Sequence, residues 1–120
     1  MNIVFKRRKH PRARPSRSAP IEVQLMSDDF LEVVNALDIS IGGMALQVGH
    51  CFEGYDIAAE VTILLKLPGT RAIMAKGKIM HTRRSGDAGV FGVQFTELSD
   101  DQRTTIADYV NRQCELGFTA

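Results

Sequence analysis

The sequence contains no tryptophan, only two tyrosines and no long apolar run, and each shortage argues against a class of protein. A membrane-spanning helix needs about 18 or more consecutive apolar residues, so none is expected. The first ten residues, MNIVFKRRKH, lack the apolar stretch of a secretory signal. Proteins that bind single-stranded nucleic acid stack its bases on aromatic side chains. The scarcity of Trp and Tyr therefore disfavours that function.

Cysteine and histidine are also scarce, with two and three residues respectively. Their positions show none of the spacings that zinc sites use: Cys51, Cys114, His10, His50 and His81. We therefore expect a cytoplasmic protein with reduced thiols, no metal and no cofactor. No Ser-His-Asp arrangement or phosphate-binding loop is present either, and Cys51 has no obvious base beside it. The sequence thus predicts that the protein is not an enzyme.

Charge is distributed unevenly along the chain. Residues 1–17 contain seven basic and no acidic residues, whereas residues 18–120 contain eight basic and fourteen acidic residues. A basic segment on an acidic body indicates a site for an anion, most often phosphate. Prolines at positions 11, 15 and 20 disfavour a helix there. We predict a flexible, extended basic arm over residues 1–17, outside the core of a single domain over residues 18–120.

After Pro20, apolar and polar residues alternate in six short segments separated by turn signals, which predicts six β-strands. In the second segment we expect one alternating set to face the core: Leu31, Val33, Leu37 and Ile39. Gly77 predicts a bulge or bend in the fifth strand. Six such strands favour an antiparallel barrel or sandwich, because closure removes exposed sheet edges.

A single helix is predicted at the end of the chain, over about residues 99–115. Ser99 and Gln102 have the spacing of a capping box, and Gly117 is a typical stop signal. The sequence thus predicts an all-β fold with one C-terminal helix.

Two arginines in the basic segment, Arg8 and Arg12, are separated by three residues. The planar guanidinium group matches phosphate oxygens and the O6/N7 edge of guanine. A solvated basic tail accounts for the same residues, and for this segment alone that is the better interpretation. His10, between the two arginines, is expected to be an exposed histidine rather than a ligand contact.

A second candidate motif contains Asp38, Ser40 and Gly43. An ionised carboxylate can accept hydrogen bonds from the N1–H and N2–H₂ groups of guanine, and a serine hydroxyl can donate or accept beside it. Gly43 permits close approach of a ligand. A strand end followed by a glycine turn, in which Asp38 and Ser40 only cap the turn, accounts for the same residues, and for this motif alone that is the better interpretation.

Together and in this order, the R-x-x-x-R of Arg8 and Arg12 and the D-x-S-x-x-G of Asp38, Ser40 and Gly43 resemble the PilZ domain family. The segment GVFGVQF over residues 89–95 and the Leu-Ser entry into the helix are similar to it as well. The resemblance implies a six-stranded barrel that binds the bacterial second messenger cyclic di-GMP.

The resemblance also implies roles for single residues. Arg8 and Arg12 would hold phosphate and guanine, Asp38 and Ser40 would bind a guanine edge, and Gly43 would let the strand approach. An arginine just before the first motif, here Arg7, goes in the family with an intercalated ligand dimer. His81 departs from the family, where many members carry tryptophan or another bulky residue; we expect it to pack at a barrel end.

The expected function is that of a stand-alone bacterial cyclic di-GMP receptor that relays the signal to an unidentified effector protein, without membrane insertion. Two alternatives remain: a small β-barrel nucleic-acid-binding protein, and a degenerate PilZ module that binds only protein. The acidic body disfavours the first, and the intact motif residues disfavour the second.

Overall fold

The computed structural model describes residues 10–28, 31–48, 57–85 and 88–120. These residues form the following elements: β1 (Glu22–Met26), β2 (Leu31–Ile39), β3 (Gly43–Val48), β4 (Glu60–Leu65), β5 (Ile73–Ser85), β6 (Ala88–Glu97) and α1 (Asp100–Glu115). The strands close into an antiparallel barrel in the order β1-β2-β3-β6-β5-β4. The predicted six-stranded antiparallel barrel with a C-terminal helix is therefore confirmed. Within the described ranges, no helix has the length and apolar character that crossing a membrane requires.

The core lies inside the barrel and consists of every second residue of the strands. Val23 and Leu25 of β1 are fully buried, and they pair with Leu65 and Ile63 of β4 across the seam that closes the barrel. Phe91 of β6 has the largest of the fully buried side chains. Burial of one such side chain stabilises the fold by about 1.5–3 kcal/mol, so the alternation of the sequence accounts for the closed sheet.

The buried face of β2 differs from the one that the sequence predicted. Three residues that were expected inside are exposed: Leu31, Val33 and Leu37. Val34 and Ala36 are buried instead, and a register shift between Ala36 and Asp38 then brings Ile39 into the core. One extra residue in a strand moves every later side chain to the opposite face. The bulge therefore determines which way the end of β2 presents Asp38.

The sequence predicted a bulge or bend at Gly77 of β5, and the sheet is irregular there, but the extra residue is Thr96 of β6; the extra residue in β5 is Met80. The pairing of β5 with β6 shifts between Lys76 and Gly77, and again between Ile79 and His81. Bulges increase the local twist and bend the strand, which helps a strand of 13 residues to follow the curve of the barrel.

Helix α1 begins and ends as the sequence predicted. The Ser99 side chain accepts a hydrogen bond from the Gln102 backbone, and the Gln102 side chain accepts one from the Ser99 backbone. Ile106 and Val110 face the core and are buried. Gly117, with φ of 94°, occupies the left-handed region just beyond the helix end, where glycine is favoured.

The structure places residues 10–17 on the barrel, which differs from the arm that the sequence predicted outside the core. Ala13 is fully buried and exchanges two backbone hydrogen bonds of 3.0 Å with Ile39. On the other side of the segment, the Arg14 amide donates to the Phe118 carbonyl at 2.7 Å, and the Ala120 amide donates to the Arg12 carbonyl at 3.0 Å. A small apolar residue between two outward-facing arginines lets a highly charged segment pair with the end of β2.

Candidate functional site

An open pocket of about 240 Å³ lies where the segment that begins at His10 crosses the outer surface of the barrel. Its walls come from that segment, from the turn between β2 and β3, and from β5 and β6. The lining residues that could bind a ligand or shape the pocket are His10, Arg12, Ser40, Gly43, His81 and Gly92. Strand pairing places Gly43 opposite Gln94, and His81 opposite Gly92.

Arg12 of the pocket lining lies beside Asp38, which is not itself a lining residue. The Ala13–Ile39 bridge points those two side chains into the core, so their neighbours Arg12 and Asp38 share the outer face. Arg12 Nη1 lies 3.6 Å from Asp38 Oδ1, which is an ion pair but too long for a hydrogen bond. Asp38 Oδ1 is buried, and within the described residues no donor hydrogen-bonds to it. The Arg12 guanidinium offsets the charge of this carboxylate but leaves the hydrogen-bonding capacity of Oδ1 unused.

Ser40 caps the turn between β2 and β3. Its side chain is buried, and Oγ accepts a hydrogen bond of 3.0 Å from the Gly42 amide. The Ser40 amide also donates to the Gly43 carbonyl at 2.8 Å. The turn-capping alternative therefore holds for Ser40, whereas Asp38 faces Arg12. A hydroxyl that accepts one hydrogen bond can still donate its own hydrogen, so Ser40 can both cap the turn and contact a ligand.

The two lining glycines are needed for different reasons. A Cβ atom on Gly43 would overlap the backbone carbonyl oxygen of Val93, so glycine allows β3 and β6 to approach. A Cβ atom on Gly92 would overlap the imidazole ring of His81. The side chain of His81 therefore occupies the space above Gly92.

Both His10 and His81 line the pocket, which sequence reasoning missed. His81 is exposed rather than packed at a barrel end. His10 is half-buried, and its Cδ2 atom lies 3.0 Å from where a Cβ atom of Gly42 would be. The position of His10 inside the R-x-x-x-R motif was a signal for its place in the pocket lining. No local pattern indicated His81, because its place depends on the pairing of β5 with β6.

The structure brings together four of the six predicted site residues: Arg12, Asp38, Ser40 and Gly43. The other two, Arg7 and Arg8, lie outside the described residues, as does Cys51. Among the described residues, no three His, Cys, Asp or Glu side chains lie close enough together to hold a metal ion.

The family model of the PilZ domain matches residues 6–112 of the chain. The chain belongs to the PilZ domain family. The matched range includes the R-x-x-x-R and D-x-S-x-x-G motifs, all six strands and most of α1. Among curated proteins, none matches the chain.

Solved structures contain the same fold. This PilZ domain superposes on the inhibitor of motility MotI of Bacillus subtilis with a TM-score of 0.79 and 16% identity, covering 94% of this chain and 53% of MotI. The PilZ domain of Escherichia coli YcgR with c-di-GMP gives a TM-score of 0.78 at 13% identity, covering 93% of this chain and 95% of that one. The complex of K. pneumonia MrkH with c-di-GMP gives a TM-score of 0.79 at 19% identity, covering 95% of this chain and 55% of MrkH. The chain thus spans about half of MotI and MrkH, and at these identities the likeness is one of fold.

Proposed function

We propose that this PilZ domain is a non-catalytic receptor for cyclic di-GMP and that the dinucleotide binds in the pocket beside Arg12. The observation that carries the proposal is the state of Asp38. Its Oδ1 atom is buried, has no hydrogen-bond donor within the described residues and lies 3.6 Å from an arginine. A guanine edge supplies two N–H donors to a carboxylate, while a neighbouring guanidinium suits phosphate or the guanine O6/N7 edge.

The pocket supports a division of roles among the predicted residues. Arg12, whose side chain is 35% exposed, would bind phosphate and guanine, with Arg8 as the second arginine of its motif and Arg7 available to a second ligand. Asp38 would accept from the guanine N–H groups. Ser40 would donate its hydroxyl hydrogen, and Gly43 would leave the floor of the pocket open.

Binding would change a surface that other proteins can contact. The segment carrying Arg12 also bonds to the C-terminal tail, so a ligand held by Arg12 is connected to residues at the opposite end of the chain. We propose that the occupied domain relays the signal to an effector protein through such a change.

Isothermal titration with cyclic di-GMP tests the proposal, with cyclic di-AMP, GTP and single-stranded DNA as control ligands. Arg12→Ala should weaken binding of cyclic di-GMP by about tenfold or more, because a hydrogen bond to a charged group contributes about 1.5–3 kcal/mol. Arg14→Ala is the matched control: it removes the same charge from the same segment, but Arg14 Nε bonds to the Thr119 carbonyl at 3.3 Å.

Arg14→Ala should retain affinity within about threefold, because the exposed guanidinium of Arg14 would attract the ligand only through solvent, which screens the interaction. If Arg12→Ala and Arg14→Ala lose the same affinity for cyclic di-GMP, the basic segment attracts anions in general and forms no specific contact through Arg12. Binding of single-stranded DNA as tight as that of cyclic di-GMP would also contradict the proposal.

A further inference from the structure

The lining of the pocket contains an unusual set of ionisable groups. Among the described residues, those on the lining that carry or can gain a charge are Arg12, His10 and His81, and none of the lining residues is a carboxylic acid. Histidine is the side-chain type that ordinarily changes charge between pH 5 and 8. A proton gained by either imidazole would add a positive charge to a lining that already contains Arg12.

The charged neighbours of the two histidines do not offset this change. Within the described residues, Arg83 lies two positions beyond His81 on the same strand, and β6 pairs Gly92 with His81 and the pocket-lining Gln94 with Lys78 of β5. Asp38 contacts the segment of His10 through its ion pair with Arg12. The C-terminal residue Ala120 contacts the same segment, because its amide donates a hydrogen bond to the Arg12 carbonyl. Carboxyl and guanidinium groups ordinarily keep the same charge between pH 6 and 8.

One further titratable group approaches the segment from α1. The thiol of Cys114 lies 3.8 Å from the Arg12 carbonyl oxygen. Thiols ordinarily titrate above pH 8, and this one contacts the back of the segment rather than the pocket lining. Cys114→Ser therefore serves as a control.

We propose that His10 and His81 contact the anionic ligand and that their protonation strengthens its binding, so that the receptor responds to pH as well as to the dinucleotide. The inference rests on the proposed function of the pocket. A protonated imidazole adds a positive charge and makes both ring nitrogens donors, while the two phosphodiester groups of the ligand stay negative throughout this range. Binding must then become tighter as the pH falls from 8 to 6.

The test is titration of the full chain with cyclic di-GMP at pH 8, 7 and 6 and constant ionic strength, using wild type, His10→Gln, His81→Gln and the double variant. The wild-type dissociation constant should fall by about tenfold from pH 8 to pH 6, with about threefold from each histidine, the size expected for partly exposed charge pairs. Each single variant should lose about threefold of this tenfold change, and the dissociation constant of the double variant should not depend on pH.

Two further measurements separate charge from other roles of the rings. His81→Phe keeps a ring above Gly92 without a charge, so the ratio of its affinities at pH 6 and pH 8 should lack the His81 share, whatever its affinity at pH 8. Binding heats measured in buffers of different ionisation enthalpy should show net proton uptake near pH 7 in the wild type and none in the double variant.

The outcomes distinguish this inference from the function on which it rests. No binding of cyclic di-GMP at any pH would overturn the proposed function and the inference together. Binding with less than about twofold change between pH 8 and 6 would overturn the inference alone. So would a dependence on pH that survives in the double variant, or one that His50→Gln or Cys114→Ser abolishes instead.

Discussion

Ala13 pairs with Ile39 through two backbone hydrogen bonds of 3.0 Å, and this bridge places Arg12 beside Asp38. The two residues of the bridge are fully buried, so the segment that carries an arginine of the R-x-x-x-R motif is packed into the domain in the described structure. The proposed ligand binding and the stability of the fold therefore depend on the same short segment.

Ala13→Leu should destabilise the fold, because a larger side chain at a fully buried site forces its neighbours apart. Overpacking of this kind costs about 1–3 kcal/mol of unfolding free energy, measurable by urea denaturation. Ser18→Leu, at an exposed position further along the segment, is the control and should change stability by no more than about 0.5 kcal/mol. If both variants unfold like the wild type, the segment is not packed in solution.

Asp38→Asn tests whether the carboxylate accepts two hydrogen bonds from guanine. The amide keeps the size but presents a donor to one guanine N–H group, so affinity for cyclic di-GMP should fall by about tenfold or more, nearly as far as in Asp38→Ala. Selectivity over cyclic di-AMP should weaken in both variants. Titration that shows wild-type affinity in Asp38→Asn would mean that one oxygen suffices.

The two pocket glycines should respond differently to alanine. In Gly43→Ala the added methyl meets the backbone of Val93, which cannot move without opening the pairing of β3 with β6. We expect a loss of about 3 kcal/mol or more of unfolding free energy, at the upper end for overpacking. In Gly92→Ala the three atoms nearest the added methyl all belong to the exposed ring of His81, which can rotate away.

Gly92→Ala should therefore cost less than about 1 kcal/mol while removing His81 from its position above the strand. The increase in its affinity for cyclic di-GMP between pH 8 and pH 6 should be smaller than in the wild type, by the same factor as in His81→Gln. Thermal unfolding that ranks Gly92→Ala as the less stable of the two glycine variants would contradict this account of the pocket floor.

Local patterns predicted the strands and the helix, because each element follows its own periodicity and its own capping residues. They failed where the signal was ambiguous: β2 has apolar residues on both faces, and only the bulge beside Asp38 decides which set is buried. The burial of Ala13 was not predicted, because one small apolar residue among arginines forms no periodic pattern. His81 could not be placed, since its contact with Gly92 depends on the register between two strands.

Tyr109 of α1 offers a test of stability that is independent of the ligand. Its hydroxyl is buried without a hydrogen-bond partner among the described residues, and burial raises the pKa of Tyr109 above 10.0. Above pH 10 the unfolded chain loses this proton while the folded chain keeps it, so the contribution of Tyr109 to stability is complete below that pH and declines as the pH rises through the raised pKa.

Tyr109→Phe removes both the unpaired hydroxyl and this titration. The variant should be as stable as the wild type at pH 7, or more stable by up to about 1 kcal/mol. The reason is that burial of a hydroxyl without a hydrogen-bond partner costs free energy, and phenylalanine has no polar group to bury at this site. Its advantage should grow between pH 9 and pH 11, when unfolding by urea is compared at each pH. Tyr55→Phe controls for alkaline effects on the chain as a whole. A Tyr109→Phe variant that is clearly less stable at pH 7 would show that the hydroxyl has a hydrogen-bond partner in solution.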